Sequence, residues 1–234
     1  MKPFIILGNP RTGTTLLETT LRNHPRAFCF SEILHPNERI RKRTSKNVPY
    51  LRENPTLDDI IVFLEARIWP LTSKEAVGFK MTLPQVDHWN LWEYFKTKDI
   101  NILMTTRNPI ASFVSYLQSR DSGVISVFKP EELKPQPPVE VVRHEFYGHL
   151  KRNRLLENKA LDTFKNIYTI NYNESSSYYK RSMYGVFRHL GLPIVTPKAE
   201  CLKQGSWHVK SRIKNFDEFA NQLEERDRYL LEGL

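Results

Sequence analysis

The feature that most constrains this chain lies at its start. A β-branched, apolar run, Phe4-Ile5-Ile6-Leu7, stops at Gly8-Asn9-Pro10-Arg11-Thr12-Gly13-Thr14-Thr15 and gives way to a helical period. Four consecutive apolar residues bounded by Gly and Pro read as a buried strand. Leu16, Leu17, Thr20 and Leu21 then share one helix face, which Asn23-His24-Pro25 ends. Strand, glycine turn and helix in succession aim backbone N–H groups and the positive end of a helix at one point, the arrangement that holds a phosphate.

The rest of the chain repeats this alternation. Ala27–Phe30, Ala76–Thr82, Ile100–Thr106 and Asn166–Ile170 read as strands. Helices are expected from Asp58 to Trp69, Trp89 to Phe95, Pro109 to Ser119, Val139 to Phe164, Ser176 to Leu190 and Phe216 to Leu231. Alternating strands and helices imply an α/β fold, with a central, mostly parallel sheet flanked by helices in three layers. His35–Pro55 and Arg120–Pro138 lack periodicity and are rich in Pro and charge, so they read as insertions near the ligand end of a single domain spanning 1–234.

Composition narrows the partners. Lys and Arg number 35 against 26 Asp and Glu, a net charge of +9, which favours anionic ligands. A nucleic-acid binder needs a basic stripe interleaved with aromatics, and Arg39-Ile40-Arg41-Lys42-Arg43 is too short to be one. No apolar stretch reaches membrane-spanning length and no export signal is evident, so the expectation is a cytoplasmic protein without a membrane span. Cys29 and Cys201 are far apart, and the seven histidines show no metal-ligand spacing; neither a disulfide nor a metal is expected.

The loop also says which phosphate it suits. Gly8 and Gly13 have the spacing of a nucleotide-hydrolase loop, but Thr14 stands where that motif needs lysine, and Arg11 is the only cation within the loop. The strand ending at Thr105-Thr106 offers no aspartate for Mg²⁺, so a metal-bound triphosphate would be poorly neutralised. This weighs against a small-molecule kinase. The other alternative, a non-enzymatic polyanion-binding protein, would use the same charge without the loop.

Pro10-Arg11-Thr12-Gly13-Thr14-Thr15 resembles the 5′-phosphosulfate loop of the sulfotransferases, P-[RK]-[ST]-G-[ST]-[ST]. Ile102 to Pro109, a strand ending Arg107-Asn108-Pro109 with Ser115 eight residues after the arginine, is similar to the family's second signature. Val77-Gly78-Phe79-Lys80, Ile170 to Glu174 with the helix ending His189-Leu190-Gly191-Leu192, and Lys214 to Glu218 resemble three further family elements, in family order.

The resemblance implies transfer of a sulfuryl group from 3′-phosphoadenosine 5′-phosphosulfate (PAPS) to a hydroxyl or amine of a small-molecule, natural-product or carbohydrate acceptor, leaving 3′,5′-diphosphoadenosine (PAP). It implies that the amides of Thr12, Gly13, Thr14 and Thr15 hold the 5′-phosphate and that Arg11 stabilises charge at the bridging oxygen. Arg107 and Ser115 would take the 3′-phosphate, Tyr172 the adenine, and Lys203 would close over the site. In the cytosolic branch a histidine in K-T-H-L-P is the base. Here the stretch reads Lys80-Met81-Thr82-Leu83-Pro84, and a threonine hydroxyl cannot take a proton near neutral pH. Glu32 resembles the glutamate of the bacterial and carbohydrate type and is the expected base, with partial burial lifting its pKa. Lys80 would orient the sulfuryl group or the acceptor.

Overall fold

The computed structural model describes residues 2–38, 41, 51, 53–71, 73–202 and 208–234. Five strands, β1 (Lys2–Gly8), β2 (Ala27–Phe30), β3 (Ala76–Thr82), β4 (Asn101–Thr106) and β5 (Ile167–Asn171), form one sheet in the order β2-β3-β1-β4-β5. Every pairing is parallel, with Gly8 beside Thr82 on one side and Thr105 on the other. All five carboxyl ends therefore lie along one edge. β1 is central, and the chain crosses over to either side of it, which makes a topological switch point at its carboxyl end.

Alternation along β1 divides the core. Ile5 and Leu7 pack with Phe79, Ile102 and Met104 against helices α2 (Leu57–Phe63), α3 (Leu83–His88), α4 (Trp92–Thr97) and α6 (Arg143–Thr163). Phe4 and Ile6 face the other way, onto α1 (Thr14–Arg22) and α8 (Tyr179–His189) through Leu17, Leu21, Met183 and Phe187. A central strand buried on both faces must be apolar at every position, which is why Phe4 to Leu7 is a continuous run rather than an alternating one.

A third cluster lies beside the sheet. It joins α5 (Pro109–Ser122) to the first half of α6 and to the C-terminal segment through Phe113, Phe146, Ile213 and Phe219. The Phe146 ring meets Phe219 edge-on at 5.2 Å and Phe113 at 5.8 Å. Asn215 exchanges two hydrogen bonds with Val141, at 2.9 and 3.1 Å, and ties the C-terminal segment to the chain entering α6.

Four expected helices are broken or altered. The helix opening at Asp58-Asp59 starts as α2 on its Thr56 cap, loosens into a π turn at Leu64–Ile68, and ends in a tight turn at Trp69–Leu71. The helix expected from Trp89 to Phe95 begins later, as α4, and is preceded by α3, which the sequence did not suggest, the two being separated where Asn90 takes a positive φ of 52°. The helix expected from Ser176 begins earlier, as α7 (Tyr172–Ser177), and is interrupted at Tyr178 before α8. The last helix is α9 (Phe216–Asn221), followed by a 3₁₀ stretch at Glu225–Leu231. Among the described residues no helix is long and apolar enough to cross a membrane.

Because Phe146 is fully buried and bridges three segments, Phe146→Ala is expected to cost about 3–5 kcal/mol of unfolding free energy. Urea unfolding followed by circular dichroism checks this; a loss under about 1 kcal/mol would mean that the third cluster does not hold α5 in place.

Candidate active site

The carboxyl ends of the strands open into a cleft of about 540 Å³, bounded by Arg11, Gly13, Thr14, Thr15, Glu32 and Lys80 on the β1–β3 side. Arg107, Ser115 and Tyr172 close its β4–β5 side. Nine of the residues singled out in the sequence thus meet in one place. Thr12 is not part of the wall: its buried hydroxyl donates to the Asn9 carbonyl at 2.7 Å and meets the Thr105 hydroxyl at 2.8 Å, pinning the loop to β4. Only the Thr12 amide is left for the role expected of it. Lys203 lies outside the described residues, as do much of the 35–55 insertion and most of its basic cluster.

The turn geometry explains the two glycines. A Cβ on Gly8 would come within 2.3 Å of the Thr105 hydroxyl, so the strand end can approach β4 only without a side chain. Gly13 caps α1 with φ 95°, and a Cβ there would strike the Tyr172 ring at 2.2 Å. Leu16 makes the first backbone hydrogen bond of the helix, to the Gly13 carbonyl, so the Thr14 and Thr15 amides precede it and point out of the helix end.

Arg11 takes the left-handed conformation, with φ 71°, unusual for a residue with a side chain. The turn presents its carbonyl to Arg107 Nη1 at 3.1 Å, while its own guanidinium donates to Ser115 Oγ at 3.0 Å and to the Ile125 carbonyl at 2.5 Å. Arg107 lies over the Tyr172 ring, 4.5 Å from its centre, and its buried Nε has no partner. Among the described residues neither arginine meets a carboxylate. Burial lowers the pKa of both, and for Arg11 the neighbouring charge of Arg107 adds to it. Two desolvated, mutually repelling guanidinium groups answered only by neutral oxygens and a ring are what an anion site requires.

Across the cleft Lys80, almost wholly buried, holds three groups. Its ammonium is 2.9 Å from Glu18, 3.3 Å from Glu32 and 3.1 Å from the Thr15 hydroxyl. Two carboxylates outweigh the cost of burial, and its pKa is raised. The sequence reading had placed Lys80 on substrate and missed Glu18, which sits on the buried face of α1 and also pairs with Arg22.

For Glu32 the structure corrects the expectation of a raised pKa. Burial does push it up, but the Lys80 charge, the 3.0 Å hydrogen bond from Gln85 and the nearby His35 together hold it below its ordinary 4.5. The carboxyl is an anion throughout the neutral range. Gln85 was also missed. It sits three residues after Thr82, and its side-chain oxygen accepts the Thr82 N–H at 2.8 Å, so one amide both caps α3 and orients Glu32. The Thr82 position is thereby helix-capping rather than basic. Cys29 is buried in β2 and Cys201 lines the cleft; both are free.

A family model described as "Sulfotransferase family" matches residues 3–88, from β1 through α3. Nodulation protein H of Rhizobium tropici is 25% identical over 235 aligned positions, covering 95% of this chain and 89% of that protein. Nodulation protein H of Rhizobium meliloti (strain 1021) is 29% identical over 147, which is 59% of this chain and 56% of that protein. Among solved structures, a sulfotransferase from Alicyclobacillus acidocaldarius matches with a TM-score of 0.55 at 14% identity, covering 99% of this chain and 95% of that one. A sulfotransferase domain from the curacin biosynthetic pathway matches at 0.50 and 13% identity, over 83% of this chain and 76% of that one. These two likenesses speak to the fold. The loop sequence, the parallel sheet and the family match over residues 3–88 agree, and in all three this chain is similar to the sulfotransferases.

Proposed function

We propose that this protein moves a sulfuryl group from PAPS to a hydroxyl, or an amine, of a small-molecule, natural-product or carbohydrate acceptor by in-line transfer, releasing PAP. The observation that carries the reading is the anion site: Arg11 and Arg107 share one cleft with the amino end of α1, with no carboxylate among the described residues to neutralise them, and Arg107 Nε is a buried donor without a partner there. A nucleotide with a 5′-phosphosulfate and a separate 3′-phosphate fits these cations. The Thr14 and Thr15 amides meet the 5′ group, and Arg11 offsets charge that develops on the departing nucleotide. Arg107 and Ser115 take the 3′-phosphate, and Tyr172, packed against Gly13, flanks the base.

Glu32 is the proton acceptor in this reading. Its carboxylate stays ionised at neutral pH and keeps free lone pairs beyond those used by Lys80 and Gln85, so it can accept from an acceptor hydroxyl. Lys80 fixes it there and, through the Thr15 hydroxyl, touches the phosphate end of the cleft. Beside Glu32 the wall is formed by His35, Pro36, Pro84 and His88, which makes this the acceptor end. We assign acceptor selection to the 35–55 and 120–138 insertions of a single, metal-independent, cytoplasmic enzyme domain. The match of residues 3–88 to the sulfotransferase family model supports sulfuryl transfer over the kinase alternative.

Three outcomes test this. By isothermal titration the protein should bind PAP without added metal, and Arg107→Met should weaken that binding about 10- to 100-fold. Tight binding of Mg–ATP with no response to PAP would sink the donor assignment. Glu32→Gln should bind PAP as the wild type does yet lose at least about a hundredfold in transfer, the range of a positioned acid–base group; unchanged turnover would move the base elsewhere. Because the folded pKa of Glu32 is depressed, its pairing with Lys80 contributes stability above the ordinary value of 4.5, lost as pH falls through the lower folded value. Urea unfolding from pH 7 down to about pH 3 should therefore show an acid loss of stability that is smaller in Glu32→Gln.

A further inference from the structure

A third arginine belongs to this cluster, and neither the loop motif nor the strand-end signature points to it. Arg212 ends a 3₁₀ turn (Lys210–Arg212) in the C-terminal segment and is 6% exposed. Its Nε donates to Gln118 Oε1 at 3.0 Å, and Nη2 reaches the same oxygen. Gln118 is itself buried and donates onward to the Pro137 carbonyl at 2.9 Å, which sets its amide with the oxygen toward Arg212. Among the described residues Arg212 meets no carboxylate.

Gln118 and Ser115 lie one turn apart on α5, and Ser115 and Ser119, on either side of it in sequence, both line the cleft. Arg212 therefore stands behind the wall on which Ser115 and Arg107 are mounted. Burial first, then the charges of Arg107 and Arg11, lower its pKa to about 10, so the three cations are within electrostatic reach of one another. A buried guanidinium facing a neutral amide, with two more arginines nearby, is a costly arrangement unless an anion answers it.

We propose that Arg212, held by Gln118, is the third cation of the anion subsite and sets the protein's preference for a nucleotide carrying a second, 3′ phosphate. The proposal rests on the donor assignment above. Arg107 and Ser115 supply the contacts, and Arg212 supplies charge from behind them in a water-poor wall, where it is weakly screened. A singly phosphorylated nucleotide fills the loop without answering that charge.

The test compares affinities for PAP and for 5′-AMP, which differ only in the 3′-phosphate, by isothermal titration. Arg212→Gln keeps a hydrogen-bond donor for Gln118 and removes the charge; Arg212→Met serves if that variant does not fold. Either should lower the ratio of PAP to 5′-AMP affinity about 10- to 100-fold while 5′-AMP binding persists, and Arg212→Lys should restore most of it. An unchanged ratio, or equal weakening of both ligands, would make Arg212 a structural prop and overturn the proposal. A wild-type protein that does not prefer PAP to 5′-AMP would instead remove the donor assignment on which it rests.

Discussion

The burial of β1 on both faces of a wholly parallel sheet is the constraint from which the rest follows. A strand placed there can carry no polar side chain, so its chemistry is postponed to the residues after Leu7, where the chain leaves the sheet. Parallel pairing puts the ends of the other four strands along the same edge. The loop at Gly8–Thr15, Glu32 after β2, Lys80 near the end of β3, Arg107 after β4 and Tyr172 after β5 are neighbours because all five strands run one way. The crossover helices that enforce this direction also bury both faces of the sheet.

Charge is sorted within that edge. On the β1–β3 side Lys80 is enclosed by Glu18 and Glu32, so the buried ions compensate one another and are held in place. On the β4 side Arg11, Arg107 and Arg212 have, among the described residues, only neutral oxygens, an amide and a ring. One half of the cleft is electrostatically closed and the other open to an anion. That asymmetry matches the needs of the proposed sulfuryl transfer, in which the nucleotide would leave as an anion and the acceptor would deliver a proton to a carboxylate already charged. It also shows why Glu32 departs from the expected raised pKa. Burial would have lifted it, but a lysine buried with it costs less when the carboxylate is ionised.

The fold was legible where one physical signal dominated. β2 and β3 have the boundaries expected of them: β2 is a continuous apolar run between polar residues, and β3 carries no polar side chain before Lys80. Helix limits were less legible where a single backbone conformation decides them. Asn90 and Tyr178 interrupt stretches whose side chains would have suited one helix, and a positive φ at an asparagine leaves no mark in hydrophobic periodicity. Thr82 seemed in the sequence to be a base that had been lost; in the fold it is the start of α3, tied to Gln85.

By itself the sequence determined the parallel α/β architecture, the strand, turn and helix around Gly8–Thr15 and nine residues of the cleft wall, since short-range order along the chain is enough to place a strand, a glycine turn and a helix end. The tertiary structure alone decided which groups share charge. Glu18 reads as one polar residue on a helix, Gln85 as a surface amide, and Arg212 as one of many basic residues in a chain of net charge +9. Their roles depend on partners far along the chain: Lys80 for Glu18, Glu32 for Gln85, and Gln118, 94 residues away, for Arg212. Burial and pairing of ions are properties of those long-range contacts, and they divide the cleft into one half where Lys80 and its carboxylates compensate one another and one half that is cationic.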